Sequence, residues 1–338
     1  MRFCLAVGAL AAGILLPLAA SAQQVTWTVG FVNAVGSSYL ETLKTVPDRI
    51  EKATGGKLKI ELYDTLVNGP EQPAAVRDGR LDASFAVSPW LSAEAPYMNF
   101  GHLPGLLTEV ATYQKMLDPL LRGETAKVWE TKYGAVQLMT GVFEEQCIIS
   151  RAPVHTVSDF YGKKVRVHNT EAATLMNKLG AAPTPVPFGE IVPALQRGIV
   201  DLVMTSVGTA NGFGFHTVAK HVSLWKIGTV VPWSFVVGKD AWAKLPPDVQ
   251  QKVAAELRRI EDEHFAEHDA FNKKNIEEFK KNGMEVYFAP PEELAKVFAP
   301  ENVNAVYEAW YALNDKAGTD GRGLIKKIQE LKAKLAAK

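Results

Sequence analysis

Cysteine is almost missing from this chain, with two residues in 338. No disulfide framework can therefore hold the fold together. A surplus of either charge is missing as well, since 37 Lys and Arg balance 37 Asp and Glu. That balance argues against a nucleic-acid binder, because phosphate binding needs a basic excess. Beyond the N-terminus no run approaches the ~18–20 apolar residues of a membrane span. No Gly-rich phosphate loop and no G-x-S-x-G elbow occurs.

What is present is a globular composition, 47% hydrophobic and 22% charged. The length exceeds what one compact core serves, so two lobes are expected. The N-terminus reads as a secretory signal peptide over residues 1–22: basic Arg2, an apolar run from Leu5 to Leu18, then Ala20-Ser21-Ala22 as the small-residue cleavage site. The alternative, a membrane anchor, needs a longer run. Cys4 and Arg2 would leave with the peptide, so the mature chain is expected to have 338 − 22 = 316 residues and a formal charge of 0 − 1 = −1. The single remaining cysteine, Cys147, reads as a small buried hydrophobe rather than a nucleophile.

Strands alternate with helices, which implies parallel α/β sheets. Val25–Phe31 reads as a strand, and Gly36-Ser37-Ser38 opens a helix that Gly55-Gly56 ends, with Pro47 as an expected kink. A weak internal repeat supports two similar lobes. Residues 75–88 (AVRDGRLDASFAVS) and 194–207 (ALQRGIVDLVMTSV) each read as a helix end, a C-cap glycine, an aspartate and a buried strand. Ligands bind outside the carboxyl ends of parallel strands. That rule points to Ser88-Pro89-Trp90, Arg166–Thr170 and Thr205-Ser206 as the walls of a cleft. A long helix is predicted from Pro246-Pro247 to about Lys281, about 50 Å at 1.5 Å per residue. Further helices follow near Glu292–Phe298 and Asn302–Leu313, with a basic helix at the tail.

One enzyme motif stands out. His264-Phe265-Ala266-Glu267-His268 is H-x-x-E-H, the inverted zincin pattern. The motif needs a third metal ligand, and its charged surroundings read equally as the solvated face of a long helix. Arg166, inside the apolar strand Val165-Arg166-Val167, is different. A guanidinium matches a carboxylate with two parallel hydrogen bonds, while a structural ion pair is the alternative for a buried arginine.

One long ordered run carries a resemblance. It goes from Asp159-Phe160-Tyr161-Gly162-Lys163-Lys164-Val165-Arg166-Val167-His168-Asn169, through Pro183-Thr184-Pro185-Val186-Pro187-Phe188-Gly189-Glu190, to Ala194-Leu195-Gln196-Arg197-Gly198-Ile199-Val200-Asp201. In these segments the chain resembles the DctP-like solute-binding proteins of tripartite ATP-independent periplasmic (TRAP) transporters. The resemblance implies an α/β, two-lobed periplasmic binding protein fold with discontinuous lobes and a long helix spanning both. Expected boundaries are 23–142 plus 231–270 for lobe I and 143–230 plus 271–338 for lobe II with the C-terminal helices. It implies a periplasmic receptor without catalysis or cofactor, probed by a small-molecule carboxylate ligand, partnered by integral-membrane transporter subunits, and monomeric. By the resemblance Arg166 binds the carboxylate, and Asn169 and Phe188 match pocket positions.

Departures from the sialic-acid members matter. Their second arginine falls at Glu145, a further acid near Val87, a further arginine near Trp90 and an asparagine near Thr205, while Asn33 is retained. A smaller or more apolar acid is therefore expected, stacked on Trp90, Phe188 or Trp233. The expected ligand-binding set is Arg166, Asn169, Phe188, Trp90, Thr205, Asn33, Glu145 and Trp233. The alternatives are a secreted metallohydrolase using His264, Glu267 and His268, and a binding protein that feeds a sensor.

Overall fold

The computed structural model describes residues 24–337. The expected signal peptide, Cys4 included, lies outside the described residues. Among the described residues, eleven strands form two sheets. The first contains β1 (Val25–Gly30), β2 (Leu58–Tyr63), β3 (Ala83–Val87), β4 (Ala135–Val142) and β10 (Pro232–Gly238), in the order β2-β1-β3-β10-β4. The second contains β5 (Gln146–Ser150), β6 (Lys164–Arg166), β7 (Ala182–Pro183), β8 (Leu202–Ser206), β9 (His221–Leu224) and β11 (Glu285–Phe288), in the order β11-β9-β5-β8-β6-β7.

Neither sheet is purely parallel, contrary to the sequence expectation. β10 runs antiparallel to both β3 and β4. β5 runs antiparallel to both β8 and β9. The physical reason lies in the path of the chain. β5 follows directly from β4 in the other sheet, and β10 follows from β9 in the other sheet. A strand that enters straight from the opposite lobe has no crossover helix to turn it round, so it runs against its neighbours.

The two repeat glycines behave alike. Gly79 and Gly198 both have φ +71°, the left-handed conformation that lets a short helix turn into the following strand. The helix Ser38–Thr54 starts where the Ser37 hydroxyl accepts from the Leu40 N–H at 3.2 Å, runs through Pro47, and ends at Gly55 with φ +63°.

The helix Pro247–Lys281 has the predicted extent. Val249, Val253, Leu257 and Ile260 bury into the core of the first sheet. Phe279 buries into the core of the second. One rigid rod thus has its apolar stripe divided between two cores. Truncating Leu257, which is fully buried, to Ala should cost about 2–5 kcal/mol.

His264 and His268 face the chain where it crosses from β4 to β5. His264 Nδ1 lies 2.9 Å from Thr42 Oγ1, and its Nε2 lies 2.9 Å from the Val142 carbonyl oxygen. His268 Nε2 lies 3.3 Å from the Phe143 carbonyl oxygen. Glu267 is exposed. The H-x-x-E-H spacing therefore fastens the long helix to the crossover.

Candidate functional site

Two adjoining cavities lie between the sheets, a chamber of about 40 Å³ and an outer cleft of about 830 Å³. The loops that follow β3, β6 and β8 all reach them, as the carboxyl-end rule requires.

The chamber has two unlike faces. On the side of the first sheet its wall is apolar, built from Val32, Val87, Pro89, Trp90, Phe143 and Val231. On the side of the second sheet it carries Gln146, Arg166, His168, Thr205, Ser206 and Thr209, together with Phe188. Arg166 is the one charged residue lining the chamber among the described residues.

Arg166 is 4% exposed. The parallel pairing of β6 with β8 places it opposite Val203. Its Nη1 donates to the Met204 carbonyl oxygen at 3.0 Å, which fixes the plane of the guanidinium. Its Nε is buried without an acceptor. Burial alone lowers its pKa, to about 10, with no carboxylate opposing the shift. The group stays cationic at neutral pH. A buried cation without a counter-charge is costly, and an entering carboxylate would relieve it.

His168 lies two residues beyond Arg166, and its ring meets that of His102 at 5.5 Å between centroids. Both imidazoles are held neutral by burial. Burial lowers His102 to about 3 and takes His168 well below its ordinary value, with the Arg166 cation adding to the effect on His168.

The expected residues divide into three groups. Arg166, Phe188, Trp90 and Thr205 line the chamber together. Asn33 lines only the outer cleft, where its Nδ2 donates to Asp64 Oδ2 at 3.0 Å. Asn169 lines neither cavity. Its Oδ1 accepts from the Ala172 N–H at 2.7 Å and caps the helix Thr170–Lys178.

Glu145 and Trp233 require correction. Glu145 turns away from the chamber and pairs with Lys226 at 3.1 Å, so no acid opposes an entering carboxylate. Trp233 is fully buried in the first core. Its ring packs edge-on against Tyr39 at 5.5 Å, and Gly141 has no room for a Cβ because that carbon would sit 2.2 Å from the indole. Cys147 is buried and its thiol pKa is raised by desolvation, as befits an inert core residue.

Gln146 and Thr209 were not anticipated. Gln146 opens the reversed strand β5, so its amino end rather than its carboxyl end meets the cleft. A rule about carboxyl ends could not find it. Thr209 lies in the helix Val207–Gly212, where the Ser206 hydroxyl caps its N–H at 3.3 Å.

The profile described as DctP, bacterial extracellular solute-binding protein, family 7, matches residues 29–313. A solute-binding protein of Albidiferax ferrireducens is 29% identical over 233 residues, which is 62% of this chain and 64% of that protein, so the match spans just under two thirds of that relative. The sialic acid-binding periplasmic protein SiaP of Vibrio cholerae is 25% identical, over 81% of this chain and 86% of that protein. A TRAP periplasmic solute-binding protein of Desulfovibrio salexigens, solved with bound orotic acid, superposes with a TM-score of 0.83 at 20% identity, covering 92% of this chain and 99% of that one. That likeness concerns the fold.

Proposed function

The chain belongs to bacterial extracellular solute-binding protein family 7, the DctP family of TRAP transporter receptors, and on that footing we propose that it is a periplasmic receptor for a small monocarboxylic acid with an apolar or aromatic body. It binds without chemical conversion. The observation that carries this reading is Arg166: buried, oriented by Met204, free of any carboxylate partner among the described residues, and lining a chamber whose opposite wall is apolar.

The carboxylate sits against the Arg166 guanidinium in a bidentate pair. Thr205, Gln146 and His168 supply the neutral hydrogen-bonding groups around it. The body of the acid lies against Val87, Trp90, Phe143 and Phe188. A single cation suits one carboxylate, so dicarboxylates are disfavoured, and the apolar wall disfavours the many hydroxyls of sialic acid. Lobe I comprises 23–142 with 231–270, and lobe II comprises 143–230 with 271–338. Closure of the two over the acid produces the form that docks on transporter subunits in the membrane. The exported chain starts after the signal peptide and acts as a monomer.

The test is a thermal-shift screen of the purified protein against mono- and dicarboxylates and neutral sugars, followed by calorimetry on the hits. A ligand at 100 times its Kd adds about 2.7 kcal/mol of stability by mass action. Monocarboxylates should stand out and Arg166→Ala should erase their effect. Shifts with neutral sugars alone, or normal binding of the acid by Arg166→Ala, would end this reading.

A further inference from the structure

Gln146 lines the inner chamber and not the outer cleft, and it is 4% exposed. Its side chain is held on two sides. Nε2 donates to the Glu144 carbonyl oxygen at 3.0 Å. The backbone of Gly228 stands close by, where an added Cβ would lie 3.2 Å from Gln146 Cγ. The Glu144 oxygen only accepts, so the amide nitrogen must face it, and a flipped amide would set oxygen against oxygen. Oε1 is then left as a lone acceptor, with no donor among the described residues. The hydroxyls of the chamber differ in kind. That of Ser206 is spent on Thr209, donating to Oγ1 at 2.9 Å and accepting from the N–H at 3.3 Å. The Thr209 proton remains to be given, and the Thr205 hydroxyl turns either way. With Arg166 these groups serve a carboxylate. Among the described side-chain oxygens that line the chamber, Gln146 Oε1 is the one that accepts and never donates. A carboxylate has no proton to offer it.

We infer that Gln146 is a specificity-determining residue, which selects acids that carry a hydrogen-bond donor, a hydroxyl or an N–H, on the carbon next to the carboxylate. The inference rests on the monocarboxylate reading above and deepens it from the charged group to its neighbour. It requires that this one carbon reach the chamber. Arg166 stands where chamber and cleft adjoin, so the rest of the acid is free to lie in either. The argument is one of replacement. In an empty chamber of about 40 Å³, water satisfies Oε1, and at roughly 10–15 Å³ per water about three molecules fit. A plain acid displaces that water and returns nothing to Oε1, which leaves a buried acceptor unpaired. An acid with a 2-hydroxyl or an N–H puts a donor in its place. A 2-oxo acid turns a second acceptor toward the first.

The experiment is calorimetric titration of the full chain with matched plain, 2-hydroxy and 2-oxo acids on three carbon frames: propionate, isocaproate and phenylpropionate. On whichever frame binds, the hydroxy acid should bind the unmodified protein about tenfold to a hundredfold more tightly than the plain acid. The oxo acid should bind no better than the plain one. In Gln146→Met, which keeps the length of the side chain and loses the amide, the preference for the hydroxyl should shrink to about threefold or less. Circular dichroism reports whether that variant keeps the fold, and the comparison in the unmodified protein needs no variant. Equal affinities for the three acids of a frame in the unmodified protein would overturn the inference and leave the monocarboxylate reading standing. An undiminished preference in folded Gln146→Met would overturn it as well. Failure of every acid to bind the unmodified protein would instead bring down the monocarboxylate reading, and this inference with it.

Discussion

Asp82 and Asp201 do the same work in opposite lobes. Each precedes a buried strand, and each makes two bonds to one residue of the neighbouring parallel strand. The Asp82 N–H donates to the Thr28 carbonyl at 3.0 Å, and its Oδ2 accepts from the Thr28 N–H at 2.9 Å. The Asp201 N–H donates to the Lys164 carbonyl at 2.8 Å, and its Oδ2 accepts from the Lys164 N–H at 2.9 Å. The carboxylate continues the ladder past the end of the strand and fixes its register. Asp82→Ala and Asp201→Ala should each lower stability by about 1–3 kcal/mol, the range for hydrogen bonds to charged groups. Urea unfolding measures this. Two sites so far apart should also be additive, and a double variant that lost much more than the sum would refute independent roles.

Arg166 should tolerate no conservative replacement. Arg166→Lys keeps a charge and loses the fork that serves Met204 and the acid together. Affinity for the acid should fall about tenfold to a hundredfold, against complete loss in Arg166→Ala. Equal affinities for Arg and Lys at this position would show that the acid is held by charge alone.

The lobes touch through bare backbone. An added Cβ on Gly212 would lie 2.0 Å from the Val35 carbonyl oxygen, and one on Gly208 would lie 2.6 Å from that of Gly36. Gly212→Ala is a wedge between the lobes. It should weaken ligand binding while leaving the melting temperature of the empty protein within a few degrees, and small-angle scattering with ligand should show a wider particle. Unchanged affinity and dimensions would mean that this seam gives way without cost.

Buried titratable groups set the pH response. His264 is lowered to about 4 and His102 to about 3 by burial. In the unfolded chain they take up protons near 6.5. Their stabilising contribution is complete above that value and is lost as pH falls toward 4. Glu171 acts in the opposite sense. Burial raises its carboxyl to about 7 and neither oxygen has a partner. Its contribution is complete below the unfolded value near 4.3 and is lost as pH rises through about 7. Glu171→Gln should therefore raise Tm at pH 8 by about 5 °C and leave it unchanged at pH 4. Equal gains at both values would show that ionisation is not the cause.

Local signals carried much of this structure. The extent of the long helix was readable from Pro246-Pro247 and the spacing of Val249, Val253 and Leu257. The repeat located Gly79 and Gly198, and the loop rule located Trp90, Arg166 and Thr205. What escaped depended on pairing between distant segments. β10 inserts between β3 and β4 although Trp233 and its register partner Val87 are far apart in sequence. Apolar periodicity marks β10 as buried and cannot say against which strand. The same gap explains Trp233, whose bulk suited a pocket wall as well as a core. Glu145 and Gln146 are adjacent, and a sequence cannot tell which of the two a reversed strand turns inward.

On the proposed reading, the two-faced chamber would separate capture from commitment in time. An acid arriving in an open cleft would meet the second lobe first in energetic terms, because the one charged side chain of the chamber and all its hydrogen-bonding side chains except the Trp90 indole lie there. That encounter exchanges water for polar contacts and should respond to salt. The first lobe brings a mainly apolar wall, so its arrival expels water and should carry most of the negative heat-capacity change of the process. Cooling would then slow or weaken the second event more than the first. A receptor built this way can sample many anions quickly and retain only those whose far side is greasy enough to dry the opposite wall.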